Sequence, residues 1–372
     1  MVRPHGHGGL SDRSGAGAAR ADRLGDAALH PRPRHGGPHA LHPPRPAGAL
    51  VPGQLPGLAG RGRGKGGRPV SRRVWIDTHI HVCDLGPDGL PRPGFTEALL
   101  AVPGAEEADL RFVVSPDGER LSRVGESAEG VIEGNGFIRD LVRRAPGRLY
   151  GSCMVNPHFP DASRTMMDRC LGESGFVQLG EMLQYMMDYR LDSDAVEELV
   201  RHALDFDVPV QVHISTSNRM THNSSWGVEQ LQDLFGLVDR VPEAKYILAH
   251  LVGMQDDDPP VVDQYLDLVE ARFGAWPERF WAEIRDFNSP GVRSVLGRVP
   301  ANRLLAGTDW VTRVGPPFLP YGVVFDVKRA EDNPYAPRVE SMVQFLREAG
   351  ADEATVRLIG GGNARELLRI SD

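Results

Sequence analysis

From residue 74 onward, short apolar runs alternate with longer amphipathic ones. Runs rich in β-branched and aromatic residues fall at 75–82, 110–115, 149–155, 176–182, 208–214, 246–250, 280–284 and 304–308. Between them the apolar positions recur at helical spacing, over 95–101, 130–144, 161–170, 193–204, 228–238, 261–273 and 291–296. Three more helical runs, 338–349, 352–359 and 364–370, close the chain. In the run that Ser193 can cap, Val196, Leu199, Val200, Ala203 and Leu204 make one stripe. The strand runs are apolar throughout, as expected when both faces are covered. Eight such strand–helix units predict parallel strands and a (β/α)8 TIM barrel. An open doubly wound sheet is the rival fold, but the Gly-rich phosphate loop it would carry after the first strand is not there.

The first seventy residues break this pattern. Residues 1–69 hold 16 Gly and 10 Pro and no aromatic residue, too little apolar surface to offset chain entropy. We therefore expect a disordered extension over 1–72 and a barrel over 73–372. The extension suits a basic tail or, more simply, translated upstream sequence ahead of a protein that begins near Val70. Its six histidines, His5, His7, His30, His35, His39 and His42, follow no metal-ligand spacing.

Charge and cysteine content narrow the function classes. The overall charge of −8 splits into 13 Lys+Arg against 3 Asp over residues 1–73 and 29 against 47 over the rest. So acidic a body is ill suited to nucleic acid, whose phosphates call for Lys and Arg. No run of about 18 uncharged apolar residues is present, so no membrane span is expected. Cys83, Cys153 and Cys170 make no CxxC pair and no disulfide framework, which predicts a reducing, cytoplasmic setting.

The chemistry gathers at strand ends. In Trp75-Ile76-Asp77-Thr78-His79-Ile80-His81-Val82 the two histidines are two apart, so both imidazoles project to one side. Alone, a His-x-His pair is about as often a core or edge feature as half a metal site. His213 near the end of the fifth run, His250 ending the sixth and Asp309 ending the eighth change that balance. In a barrel all strand ends point to one face, so these five groups converge from four strands.

These motifs resemble the amidohydrolase superfamily, specifically the amidohydrolase-related branch that includes aminocarboxymuconate-semialdehyde decarboxylase-like enzymes. The resemblance rests on Asp77-Thr78-His79-Ile80-His81, Val155-Asn156-Pro157, Val212-His213, Leu248-Ala249-His250, Gly307-Thr308-Asp309 and Gly362-Asn363-Ala364, and runs from about Val74 to the C-terminus. It implies that His79, His81 and His213 bind a divalent metal, usually zinc, with Asp309 as a further ligand and proton acceptor. His250 would stand beside the metal as acid/base or electrostatic partner of the substrate. Such a centre brings a bound water's pKa to about 7.

Glu181, at the end of Gln178-Leu179-Gly180-Glu181-Met182, is a separate question. TatD-type hydrolases place a metal ligand at a similar Gly-Glu. Glu181 is thus expected in the site, either as a ligand of a two-metal centre with His250 joining it, or as a group that orients a ligand or binds substrate. A rim salt bridge is the plainer alternative.

Trp310 and Trp281 are candidates to wall the pocket, with core packing an equal reading. Asn156 and His158 follow the third strand on the active face, Glu283 could face the barrel interior, and Arg219 and His222 lie in a long loop after the fifth strand. His202 and Asn363 read as structural. The leading expectation is a metal-dependent hydrolase of a small-molecule amide, lactone or ester. The second is a non-oxidative decarboxylase of an aromatic or unsaturated acid, for which Arg285 and Arg219 are the arginines at hand. The third, a barrel that has lost catalysis and serves as a scaffold, expects missing ligands, and none is missing. Relatives of this kind are often dimers, so a homodimer is what the resemblance implies.

Overall fold

The computed structural model describes residues 73–86, 88–102, 107–173, 175–214, 228–253, 259–311 and 339–371. The extension expected at 1–72, and the loop residues Arg219 and His222, lie outside them. Among the described residues nine parallel strands run β1 (Val74–Val82), β2 (Asp109–Pro116), β3 (Leu149–Cys153), β4 (Phe176–Met182), β5 (Val210–His213), β6 (Tyr246–Val252), β7 (Phe280–Ile284), β8 (Leu304–Ala306) and β9 (Trp310–Val311). They hydrogen-bond in sequence order from β1 to β8, and β9, continuing the line of β8, pairs Trp310 with Ile80 on the other side of β1. The expected (β/α)8 barrel is the fold.

The helices are α1 (Phe95–Leu100), α2 (Gly118–Glu126), α3 (Ala128–Arg144), α4 (Pro160–Leu171), α5 (Gln184–Met187), α6 (Asp194–Leu204), α7 (Val228–Arg240), α8 (Pro259–Phe273) and α9 (Gly291–Arg298), followed by α10 (Val339–Glu348), α11 (Glu353–Arg357) and α12 (Asn363–Leu368). Two of these the sequence pattern does not announce. In α2 only Leu121 and Val124 are buried among polar neighbours, and α5 is a single turn between β4 and α6. None of the helices is long and apolar enough to cross a membrane among the described residues.

The barrel interior has three storeys. Its floor, at the N-terminal ends of the strands, is apolar: Ile76, Val113, Tyr150, Val177, Ile247, Trp281 and Leu305 pack on Leu367, Leu368 and Ile370 in and after α12. Asn363 fixes that plug, its amide donating to the carbonyls of Ala301 and Leu304, both at 2.7 Å. Above the floor lies a polar storey in which Glu283 accepts from the Thr78 hydroxyl at 2.8 Å and from the Gln211 amide at 2.7 Å. Gln178 donates to Gln211 at 2.9 Å, so this storey is a cross-linked raft rather than a set of lone buried amides. The ligand candidates stand on the third storey, at the strands' C-terminal ends.

Candidate metal centre and active site

Two irregularities in the strands aim the key side chains inward. Ile76 and Thr78 face the barrel, so strict alternation would turn His79 and His81 toward the helices. The register of β1 on β2 shifts between Asp77 and Ile80, and parity inverts there. Asp77 holds the shift: its carboxylate accepts from the backbone of His79 at 2.9 Å and Thr308 at 3.0 Å, and from the Thr308 hydroxyl at 2.5 Å. In β4 the register on β5 shifts between Leu179 and Met182. Gly180 there has φ 121°, and a Cβ would lie 2.4 Å from the Gln211 carbonyl oxygen, so only glycine fits. The Ser152 hydroxyl donates to the Gly180 carbonyl at 2.5 Å, and Glu181 is swung into the barrel.

Glu181 is then the hub. Its Oε2 stands 3.2 Å from Nε2 of both His79 and His81, and its Oε1 is 2.8 Å from His213 Nδ1 and 3.0 Å from His250 Nε2. The five residues form two buried triads, His79–His81–Glu181 and Glu181–His213–His250, in each of which one ligand atom per residue lies within 4.8 Å of the others. Asp309 Oδ1 adds a carboxylate oxygen 3.3 Å from His81 Nε2 and 3.8 Å from His79 Nε2, while its Oδ2 pairs with Arg285 at 2.7 Å. His250 and Asp309 hold φ values of 39° and 52°, a left-handed backbone that costs about 1–3 kcal/mol for such residues and recurs at functional sites.

The tautomers fit a cation. His81 Nδ1 is 3.0 Å from the Pro116 carbonyl, which can only accept, so Nδ1 carries the hydrogen. His79 Nδ1 faces the Glu283 carboxylate at 3.0 Å in the same sense. In the neutral rings both Nε2 atoms are therefore lone-pair donors, and they stand 3.0 Å apart with two carboxylate oxygens beside them. Four electron-rich atoms facing one another call for a proton or a metal ion between them.

The titration behaviour agrees. Burial works to lower His79, but the charges of Glu181 and Glu283 outweigh it and hold the imidazole well above its ordinary value. His81 is raised too, burial being outweighed by its bond to Glu181 and the charge of Asp309. His213 goes the other way, pushed down to about 4 by burial and by neighbouring His250. Glu181 is held well below the carboxylate range, since His79, His213 and His250 overcome its burial. Asp309 is lowered likewise, Arg285 leading the groups that overcome burial.

The other expected contacts are not brought here. Trp281 sits on the barrel floor with the Arg303 guanidinium 4.7 Å over its ring, because it lies one full strand repeat below Glu283. Trp310, adjacent to Asp309, points the opposite way and is fully buried outside the strands, stacked on Phe112 at 6.5 Å. Neither tryptophan walls the site. Asn156 is wholly buried, its amide donating to the Val124 carbonyl at 3.0 Å and its oxygen accepting from the His158 backbone at 2.9 Å. His158 Nε2 reaches the carbonyls of Met187 at 2.9 Å and Asp188 at 3.1 Å, so it clamps the segment after β4. Cys83, Cys153 and Cys170 are buried free thiols.

That segment carries groups the sequence did not single out. Gln184 donates to the His213 carbonyl at 2.9 Å, the Tyr185 ring lies 4.4 Å from the His213 ring, and Tyr189 sets its phenol in the field of Glu181. Burial and that field keep the Tyr189 phenol well above its ordinary value, hence protonated. A loop distal to a strand end carries no periodic signal, which is why these residues escaped notice.

A parallel (β/α)8 barrel with a histidine–carboxylate cluster at its strand ends defines a class, the metal-binding amidohydrolase type. The chain belongs to the amidohydrolase family, whose model matches residues 76–370. No curated protein matches it in sequence. Among solved structures it is similar to 5-carboxyvanillate decarboxylase LigW from Sphingomonas paucimobilis, at 17% identity and TM-score 0.54, over 81% of this chain and 100% of that one. A putative amidohydrolase from Staphylococcus aureus matches at 16% identity and TM-score 0.55, over 79% and 99%. A dihydroxybenzoic acid decarboxylase from Polaromonas sp. JS666, with bound manganese and 2-nitroresorcinol, matches at 18% identity and TM-score 0.50, over 80% and 97%. At these identities the likeness is one of fold.

Proposed function

We infer that the protein is a metal-dependent hydrolase of a small-molecule amide, lactone or ester. The observation that carries this reading is Glu181, whose two oxygens each face two imidazole nitrogens, the arrangement of a carboxylate shared by two ions. His79, His81 and Glu181, with Asp309 alongside, would hold one divalent ion, and Glu181, His213 and His250 a second, zinc suiting these imidazole and carboxylate donors. Such ions supply Lewis acidity, polarising an acyl oxygen and bringing a water's pKa to about 7.

The chain's own groups do the rest. Arg285 ties down Asp309 Oδ2 and leaves Oδ1 facing the centre, as the carboxylate that accepts the proton given up by the attacking water. His250 donates from Nδ1 to the Ile214 carbonyl at 3.1 Å, so its Nε2 lone pair faces Glu181 and it acts as a ligand rather than an acid. Glu283 holds His79 in the tautomer that binds.

The second reading, decarboxylation of an aromatic or unsaturated acid, is favoured by Arg285. Its Nε is buried with no hydrogen-bond partner among the described residues, placed to take a substrate carboxylate. The activities named for LigW and the Polaromonas enzyme point the same way.

Elemental analysis of the purified chain, with Glu181→Gln beside it, separates the readings. Two equivalents of metal falling to one or none in the variant supports the hydrolase. One equivalent, kept in the variant, moves the balance to decarboxylation. No metal bound, and none taken up on adding zinc or manganese, refutes both.

A further inference from the structure

We propose that Tyr189 is the hydrogen-bond donor that meets the substrate's acyl oxygen as it becomes an oxyanion, a role that rests on the hydrolase reading above. The phenol oxygen is buried and has no hydrogen-bond partner among the described residues. Leaving a buried hydroxyl unpaired is unfavourable, so a fold that keeps one on a segment packed against its ligands needs a reason. The segment that bears it packs on a ligand, the Gln184 amide donating to the His213 carbonyl at 2.9 Å and the Tyr185 ring lying 4.4 Å from the His213 ring, and the Glu181 charge reaches the phenol.

The segment that bears Tyr189 is held from several sides. Its backbone N–H donates to the Gln184 carbonyl at 3.2 Å, and Gln184 in turn is bonded to the His213 carbonyl. Asp188, at φ 53°, turns the chain after α5, and His158 grips the carbonyls of Met187 and Asp188. A phenol fixed by its backbone, with its O–H unspent, is preorganised for charge that appears only during reaction.

The test uses methylphosphonate, a tetrahedral oxyanion, on the full zinc-loaded chain. Calorimetric titration should show the wild type binding it and Tyr189→Phe binding about tenfold or more weakly, at equal zinc content and equal unfolding midpoint. In wild-type chain labelled with 13C at tyrosine Cζ, one resonance should move on adding the probe. Equal affinity in the variant at equal zinc content overturns the proposal while leaving the hydrolase reading standing. So does a zinc-loaded wild type that does not bind methylphosphonate, or whose tyrosine resonances all stay in place. Failure to take up either zinc or manganese removes the hydrolase reading itself and this role with it, a different result. Should the variant fold poorly, the wild-type resonance decides.

Discussion

The two triads share Glu181 yet are built in opposite ways. His79 and His81 are neighbours on one strand, and carboxylates surround them: Glu181 and Glu283 on His79, Glu181 and Asp309 on His81. His213 and His250 come from two strands and stack edge to face at 4.5 Å, with Tyr185 on the other side of His213. One half of the centre is rich in negative charge and the other is aromatic. The first therefore holds protons tightly when no ion is present, whereas in the second His213 sheds its own. Identical ligand types have become unequal sites through the residues behind them.

The largest break in this comparison should come from Gly180→Ala, which strikes what both triads share. A Cβ forced against the Gln211 carbonyl at positive φ must reopen the kink and turn Glu181 away. We expect a loss of roughly 2–3 kcal/mol in stability and of most bound metal, read by denaturant titration and elemental analysis. Metal content equal to wild type would show that the kink does not set Glu181.

Glu283→Gln should damage one half only. The amide keeps the contacts to Thr78 and Gln211 within reach but no longer offers His79 a carboxylate. Affinity at the first triad should drop about 10–100-fold, with the second triad unmoved. Competition against a chromophoric chelator resolves the two steps, and equal weakening of both would mean the halves are not separable.

A smaller and more diagnostic effect is the pH dependence. A raised His79 keeps its proton above its ordinary 6.5 in the ion-free chain, so a metal ion must displace it. Affinity at the first triad should thus climb with pH until the raised value is passed, and then level. His213, down at about 4, is already neutral at pH 6 and adds no such climb at the second triad. Stability of the ion-free chain follows the same logic with signs opposed. The contribution of His79 is full below 6.5 and fades as pH rises through its raised value. That of His213 is lost as pH falls from 6.5 toward 4, and those of Glu181 and Asp309 are lost as pH falls through their lowered values. Parallel pH curves for the two metal steps would contradict the comparison.

Much of this was legible because strand ends are legible. His79, His81, Glu181, His213, His250 and Asp309 each lie at or near the end of an apolar run, and parallel topology brings such ends together whatever the details. What alternation could not supply was parity. Both strand shifts, at Asp77–Ile80 and Leu179–Met182, invert the side on which residues fall, and neither leaves a mark beyond one Asp and one Gly. The same blindness misplaced the tryptophans: period-two reasoning gives a side but neither a height along the barrel nor, next to a ligand, the right face. Glu283 was read as facing the interior, but its grip on His79 depends on the shift in another strand.

Trp281 offers the finest test, since it asks whether the storeys of the barrel are independent. On the floor it packs with Ile247 and Leu305 beneath Arg303, and the Glu283 raft separates it from the ligands. Trp281→Phe shrinks the floor and weakens the guanidinium contact, which should cost about 1–3 kcal/mol. Because the raft is cross-linked through Gln211 and Gln178, that loss should stop there, leaving both metal affinities and their pH curves as in wild type. A change in metal affinity from so distant a substitution would mean that the floor sets the height of Glu283, and through it the inequality of the two triads.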